Sequence, residues 1–159
     1  MYDFTADDVF EMAEQLERNG AKFYRDAAQH TDNLEYKKLL ETLSAMEIEH
    51  EKIFIKLRSE LSENEKVSTA FDPQNEAILY LRALADTKVF FEKEIDFSSM
   101  NSVFKAALLT EKDSIVFYLG MKEMVPEKYG KDKLDNIIKE EMGHIRMLSK
   151  ELKALKNRE

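Results

Sequence analysis

Glu17, Tyr24, Glu47 and His50 recur 94 residues later as Glu111, Tyr118, Glu141 and His144, at identical spacing. In each copy a Glu-x6-Tyr segment is followed by Glu-x-x-His, and 30 residues separate the two glutamates. The chain has three histidines, and two of them fall in this pattern. Four carboxylates and two imidazoles spread over four helices are the donor set of a two-metal carboxylate centre. Hard oxygens with one nitrogen per ion suit iron or manganese better than zinc, with iron the first choice. The Glu-x-x-His spacing puts both donors on one helix face, within reach of the same ion pair.

Positioning these donors calls for long helices. Thr5 followed by Asp7 and Asp8 marks a helix start, with acids near the positive end of the dipole. That helix is predicted to run to about His30. Thr31-Asp32-Asn33 forms a turn and cap, and a second helix runs from about Leu34 to Leu61. The polar stretch from Ser62 to Pro73 reads as loop, and a shorter helix follows from about Gln74 to Lys93. Asp96-Phe97-Ser98-Ser99 caps a third long helix over about Met100–Met124; Pro126–Gly130 is a turn, and a fourth long helix spans about Lys131–Lys156.

The pattern predicts an all-α, single-domain chain covering 1–159, built of two helical hairpins (about 5–61 and 100–156) and a crossover over about 62–99 that contains its own helix. So long a connection can travel the length of a bundle and set the second hairpin antiparallel to the first. The result is a ferritin-like four-helix bundle. Glu17, Glu47, Glu111 and Glu141 each lie 14–16 residues from their turn. At about 1.5 Å rise per residue they share a depth of roughly 21–24 Å, so all four meet in one layer.

The four carboxylates also lie in the apolar stripes that face the core. Glu17 falls in phase with Phe10, Ala13, Ala21 and Ala28, and Glu47 and His50 with Leu39, Leu43, Phe54 and Leu57. Glu111 falls in phase with Phe104, Ile115 and Met121, and Glu141 and His144 with Leu134, Ile137, Leu148 and Leu152. Four buried carboxylates would each cost several kcal/mol in desolvation and would repel one another. Two cations neutralise the layer.

Composition narrows the alternatives. The absence of cysteine excludes disulfides, thiolate metal sites and thiol nucleophiles from these residues. Scarce glycine and proline with abundant Glu, Lys, Leu and Ala match long helices. A net charge of −8 disfavours nucleic acid and anionic membranes as partners. The acidic start Met1-Tyr2-Asp3-Phe4 does not resemble a secretory leader, and no apolar run nears the roughly 20 residues that span a bilayer. A cytoplasmic location is the resulting expectation.

Tyr24 and Tyr118 either fill the core or donate hydrogen bonds to ligating carboxylates of the opposite hairpin. His30 reads as a surface or capping residue. Glu49 and Glu51 read as solvated or helper carboxylates; so does Glu140, with a spare ligand as its other reading. Gly20 and Gly143 sit mid-helix, either for close packing or to leave room for a small oxidant.

Over about residues 5–156, through Glu17-x6-Tyr24, Glu47-x2-His50, Glu111-x6-Tyr118 and Glu141-x2-His144, the chain resembles the rubrerythrin branch of the ferritin-like di-iron proteins. The resemblance implies that Glu47 and Glu141 bridge two iron ions, with manganese or a mixed pair as alternatives. Glu17 and Glu111 would then be terminal carboxylates, and His50 and His144 one nitrogen ligand per metal. It departs from the family pattern at Ser114, where a further glutamate is usual, and it has no cysteine-rich rubredoxin segment. The implied activity is a di-iron oxidoreductase reducing hydrogen peroxide or dioxygen, of the kind used against oxidative stress. Its electrons would come from a separate donor protein or from ferrous iron. Ferroxidase or iron-binding activity, substrate hydroxylation and a structural module with a redox-inert metal are the alternatives, and a homodimer is the default assembly.

Overall fold

The computed structural model describes residues 5–64, 76–86, 94–125 and 130–158. Among them are five helices and no strand: α1 (Ala6–Gln29), α2 (Leu34–Ser59), α3 (Glu76–Asp86), α4 (Met100–Met124) and α5 (Lys131–Lys156). Local chemistry explains where they start. Thr5 and Asp8 form a reciprocal capping box, in which Asp8 N–H donates to Thr5 Oγ1 (3.2 Å) and Thr5 N–H to Asp8 Oδ2 (2.7 Å). Asn33 Oδ1 accepts from the amides of Glu35 (3.0 Å) and Tyr36 (3.1 Å), and Ser99 Oγ accepts from Ser102 N–H (3.2 Å).

The start of α5 depends on a glycine. Gly130 has φ 99°, and a Cβ there would lie 2.4 Å from Leu57 Cδ2. α4 and α5 match the predicted spans, and α1 ends one residue before His30, its C-cap. α2 stops at Ser59, two residues early, and Glu63 and Asn64, placed in a loop by the sequence, are helical. Residues 65–75, 87–93 and 126–129 are outside the described residues, as are the side chains of Ile78 and Leu84. The predicted ends of the crossover helix therefore go undescribed.

Two apolar clusters reveal the helix directions. The starts of α1 (Val9, Phe10) and α5 (Leu134, Ile137) share one cluster with the ends of α2 (Phe54, Leu57) and α4 (Met121, Met124). The end of α1 (Ala27, Ala28) shares the other with Leu148 of α5 and with the starts of α2 (Tyr36, Leu40) and α4 (Val103, Phe104). Helices α1 and α5 thus run one way, α2 and α4 the other. Each hairpin turns at the opposite end of the bundle from the other. The chain leaves the first cluster at Leu61 and re-enters beside the second at Met100, so the two ends of the crossover lie at opposite ends of the bundle. This is the ferritin-like arrangement. Within the crossover α3 lies against α4, with Leu81 fully buried in the first cluster and the Tyr80 hydroxyl donating to Val116 O (3.3 Å).

Polar groups fasten the first hairpin. Ser44 Oγ donates to Ala21 O (2.8 Å), one turn from Glu47. Arg58 near the end of α2 grips Asp7 with two hydrogen bonds (2.7 and 2.8 Å) and reaches Glu14 at 3.4 Å, tying it to the first turns of α1.

Candidate metal centre

Between the two apolar clusters the four long helices contribute one buried polar layer. Glu17, Glu47, Glu111, Glu141, His50 and His144 all lie in it, none more than 5% exposed. Equal depth from the turns brings them together, because both hairpins place their Glu-x6-Tyr and Glu-x-x-His segments halfway along the bundle.

The six side chains divide into two groups that could each hold an ion: Glu17, Glu47, His50 and Glu141, and Glu47, Glu111, Glu141 and His144. Within each group the donor atoms lie within 4.8 Å of one another. Glu47 and Glu141 belong to both. Glu141 spans the pair, with Oε1 3.0 Å from His50 Nδ1 and Oε2 2.9 Å from His144 Nδ1. Glu47 does so less evenly, at 4.0 Å and 3.2 Å. Glu17 and Glu111 flank one imidazole each, both at 3.4 Å. The two rings stack at 5.9 Å between centroids.

The donors fit cations better than they fit one another. Among the described residues, Glu17 Oε2, Glu47 Oε1, both Glu141 oxygens and Nδ1 of both histidines are buried without a hydrogen-bond partner, despite the short approaches above. Each such atom costs about 1–3 kcal/mol if left unpaired. Converging, unpaired and of the hard-oxygen-plus-imidazole type, they suit divalent cations of the iron and manganese kind.

Electrostatics agrees. Burial pushes the carboxyl of Glu47 well above the usual range, helped by the charges of Glu17 and Glu141. Burial also drives Glu111 up to about 8, against the pull of His144. Burial opposes charge on His50, but the nearby carboxylates of Glu141 and Glu17 outweigh it and raise the imidazole to about 11. His144 rises likewise to about 10, with Glu111 and Glu141 prevailing over burial. Burial disfavours the Glu141 carboxylate too, yet the histidines beside it hold it below the usual range. Without cations, then, the layer draws in protons to limit its own repulsion.

Both tyrosines reach across the bundle. The Tyr24 hydroxyl donates to Glu111 Oε1 and that of Tyr118 to Glu17 Oε1, each on the opposite hairpin. Their rings also pack in the clusters on either side, Tyr118 against Phe54 at 5.2 Å and Tyr24 against Phe23 at 5.2 Å. The two readings of these residues therefore coexist.

Of the remaining candidates, His30 caps α1, exposed and stacked on Phe97. Glu51 pairs with Arg18 and Glu49 with Lys52. A Cβ on Gly20 would lie 3.3 Å from Glu47 Oε2, so here the missing side chain leaves space for a layer carboxylate; a Cβ on Gly143 would meet only Arg146 Nη2, at 4.0 Å. Glu140 is not among the inward-facing donors. Its carboxylate takes the far nitrogen of His50, with Oε2 2.7 Å from Nε2. Sequence periodicity places Glu140 on the outer flank of α5 and gives no hint of which α2 residue it meets.

A helical bundle with one crossover and a doubled carboxylate–histidine layer defines the ferritin-like class of metal-binding proteins. Within that class, the rubrerythrin family model matches residues 8–152, and the chain belongs to the rubrerythrin family. A crystal structure of a candidate ferritin-like diiron-carboxylate protein from Thermotoga maritima has the same fold, with a TM-score of 0.70 and 24% identity, covering 96% of this chain and 97% of that one. No curated protein matches.

Proposed function

We propose that the chain is a di-iron carboxylate oxidoreductase that reduces hydrogen peroxide or dioxygen. The supporting observation is that two donor groups share Glu47 and Glu141, an arrangement that would hold two ions side by side. Glu17, Glu47, His50 and Glu141 would hold one iron and Glu47, Glu111, Glu141 and His144 the other. Two adjacent redox-active ions supply two electrons, the number needed to cleave one O–O bond.

The chain's own residues prepare that chemistry. Burial excludes bulk water and strengthens each charge interaction in the layer. Tyr118 and Tyr24 occupy one oxygen of each flanking carboxylate, which fixes the orientation of Glu17 and Glu111. Glu141, with an oxygen toward each imidazole, ties the halves into one unit. Spent electrons are replaced by a separate donor protein or by ferrous iron.

Metal analysis and peroxide turnover test this reading. Two irons per chain are expected, and Glu47→Ala and Glu141→Ala should lose turnover. Undiminished peroxide reduction in either variant refutes the assignment. Rapid Fe(II) oxidation in a hollow multimer, with no peroxide turnover, would establish the ferroxidase alternative instead.

A further inference from the structure

The two halves of the layer are not equivalent on their outer sides. Behind His50, Nε2 lies 2.7 Å from Glu140 Oε2. A carboxylate only accepts, so Nε2 donates, and Nδ1 is the nitrogen turned to Glu17, Glu47 and Glu141. His144 turns Nδ1 inward in the same way, yet its buried Nε2 has no hydrogen-bond partner among the described residues. The 94-residue offset supplies the reason. The residue before Glu141 is Glu140, and its counterpart before Glu47 is Met46, whose thioether is at best a weak acceptor.

A carboxylate behind a ligating imidazole fixes the tautomer and ring orientation and raises the basicity of the inner nitrogen. His144 has no such support and would keep a buried N–H unpaired when its other nitrogen binds metal, which costs free energy. We infer that Glu140 is a positioning residue that makes the His50 half the tighter of two metal half-sites, so that the first ion enters among Glu17, Glu47, His50 and Glu141. This deepens the two-metal reading above and rests on it.

Cobalt(II) serves as the probe, titrated into the metal-free full chain and followed by calorimetry and by d–d absorption. Two binding steps are expected. Glu140→Ala should weaken the tighter step by about 10- to 100-fold and leave the weaker one unchanged. Glu140→Gln, which keeps an acceptor and loses the charge, should fall between. Met46→Glu should strengthen the weaker step.

Repulsion between two ions can split the steps even in a symmetric site, so the dependence on His50 is the deciding readout. In a His50→Ala background, Glu140→Ala should have no further effect. The inference is overturned if Glu140→Ala leaves both steps unchanged, weakens the weaker step, or acts equally without His50. Uptake of fewer than two Co(II) by the unaltered chain would instead sink the two-metal reading itself. Glu140 is half exposed, so its variants should keep the native circular dichroism spectrum.

Discussion

A carboxylate in a protein core stays there only if something answers its charge. At Glu17 the Tyr118 hydroxyl takes one oxygen and leaves the other toward His50. Tyr118→Phe keeps the ring against Phe54 but strips Glu17 Oε1 of its donor. The expected result is a loss of about 1–3 kcal/mol in the metal-free chain, read by urea denaturation, together with weaker metal uptake. Tyr24→Phe should do the same through Glu111. Should either substitution change neither quantity, that phenol is core filling and nothing more. The donor types and their repeat were visible in the sequence. The partners of the two phenols were visible only as a pair of options, because helical phase shows that a residue faces inward but not whom it meets.

At the scale of elements, three of the four long helices begin at a side-chain cap: α1, α2 and α4 are anchored by Thr5, Asn33 and Ser99. Asn33→Ala should cost about 1 kcal/mol, measured as a lower denaturant midpoint with an unchanged slope. Gly130 carries two constraints at once, a left-handed backbone and the Leu57 side chain against its α-carbon. Gly130→Ala is therefore expected to destabilise by more than the roughly 1 kcal/mol of an ordinary left-handed position. A midpoint shift no larger than that of Asn33→Ala would show that Leu57 yields. Sequence placed the turn before α5 but could not reveal the Leu57 contact, which joins residues 73 positions apart. The Arg58 clamp on Asp7 and Glu14 is hidden in the sequence for the same reason: on a chain rich in charges, no spacing rule singles out one arginine.

For the molecule as a whole, protons and cations compete for the same layer. His50 and His144 have folded pKa values raised from 6.5 to about 11 and about 10, and Glu111 from 4.5 to about 8. Groups with raised values bind more protons folded than unfolded, so the stability they lend is full at low pH and drains away as pH climbs through the folded values. Glu141, held low, acts in the opposite sense and only below the normal carboxylate range. The metal-free chain should accordingly melt at progressively lower temperature from about pH 6 up to about pH 11. Metal binding should release protons, and the stabilisation it confers should grow over that same interval. A metal-free melting temperature that rises with pH would show that the layer is not protonated as described.

Periodicity, capping residues and the 94-residue repeat were enough to determine an all-α bundle, the faces its helices bury and the six donors at one depth. These depend on neighbours along the chain or on equal counts from a turn, both of which a sequence displays directly. Only the tertiary structure decided that Glu141 spans both imidazoles, that each tyrosine serves the opposite hairpin, and that Glu140 stands behind His50 while no described residue takes the outer nitrogen of His144. Such pairings depend on the rotation and separation of whole helices packed against each other. Those are set by the volumes of all the side chains in the interface, and no local pattern encodes them.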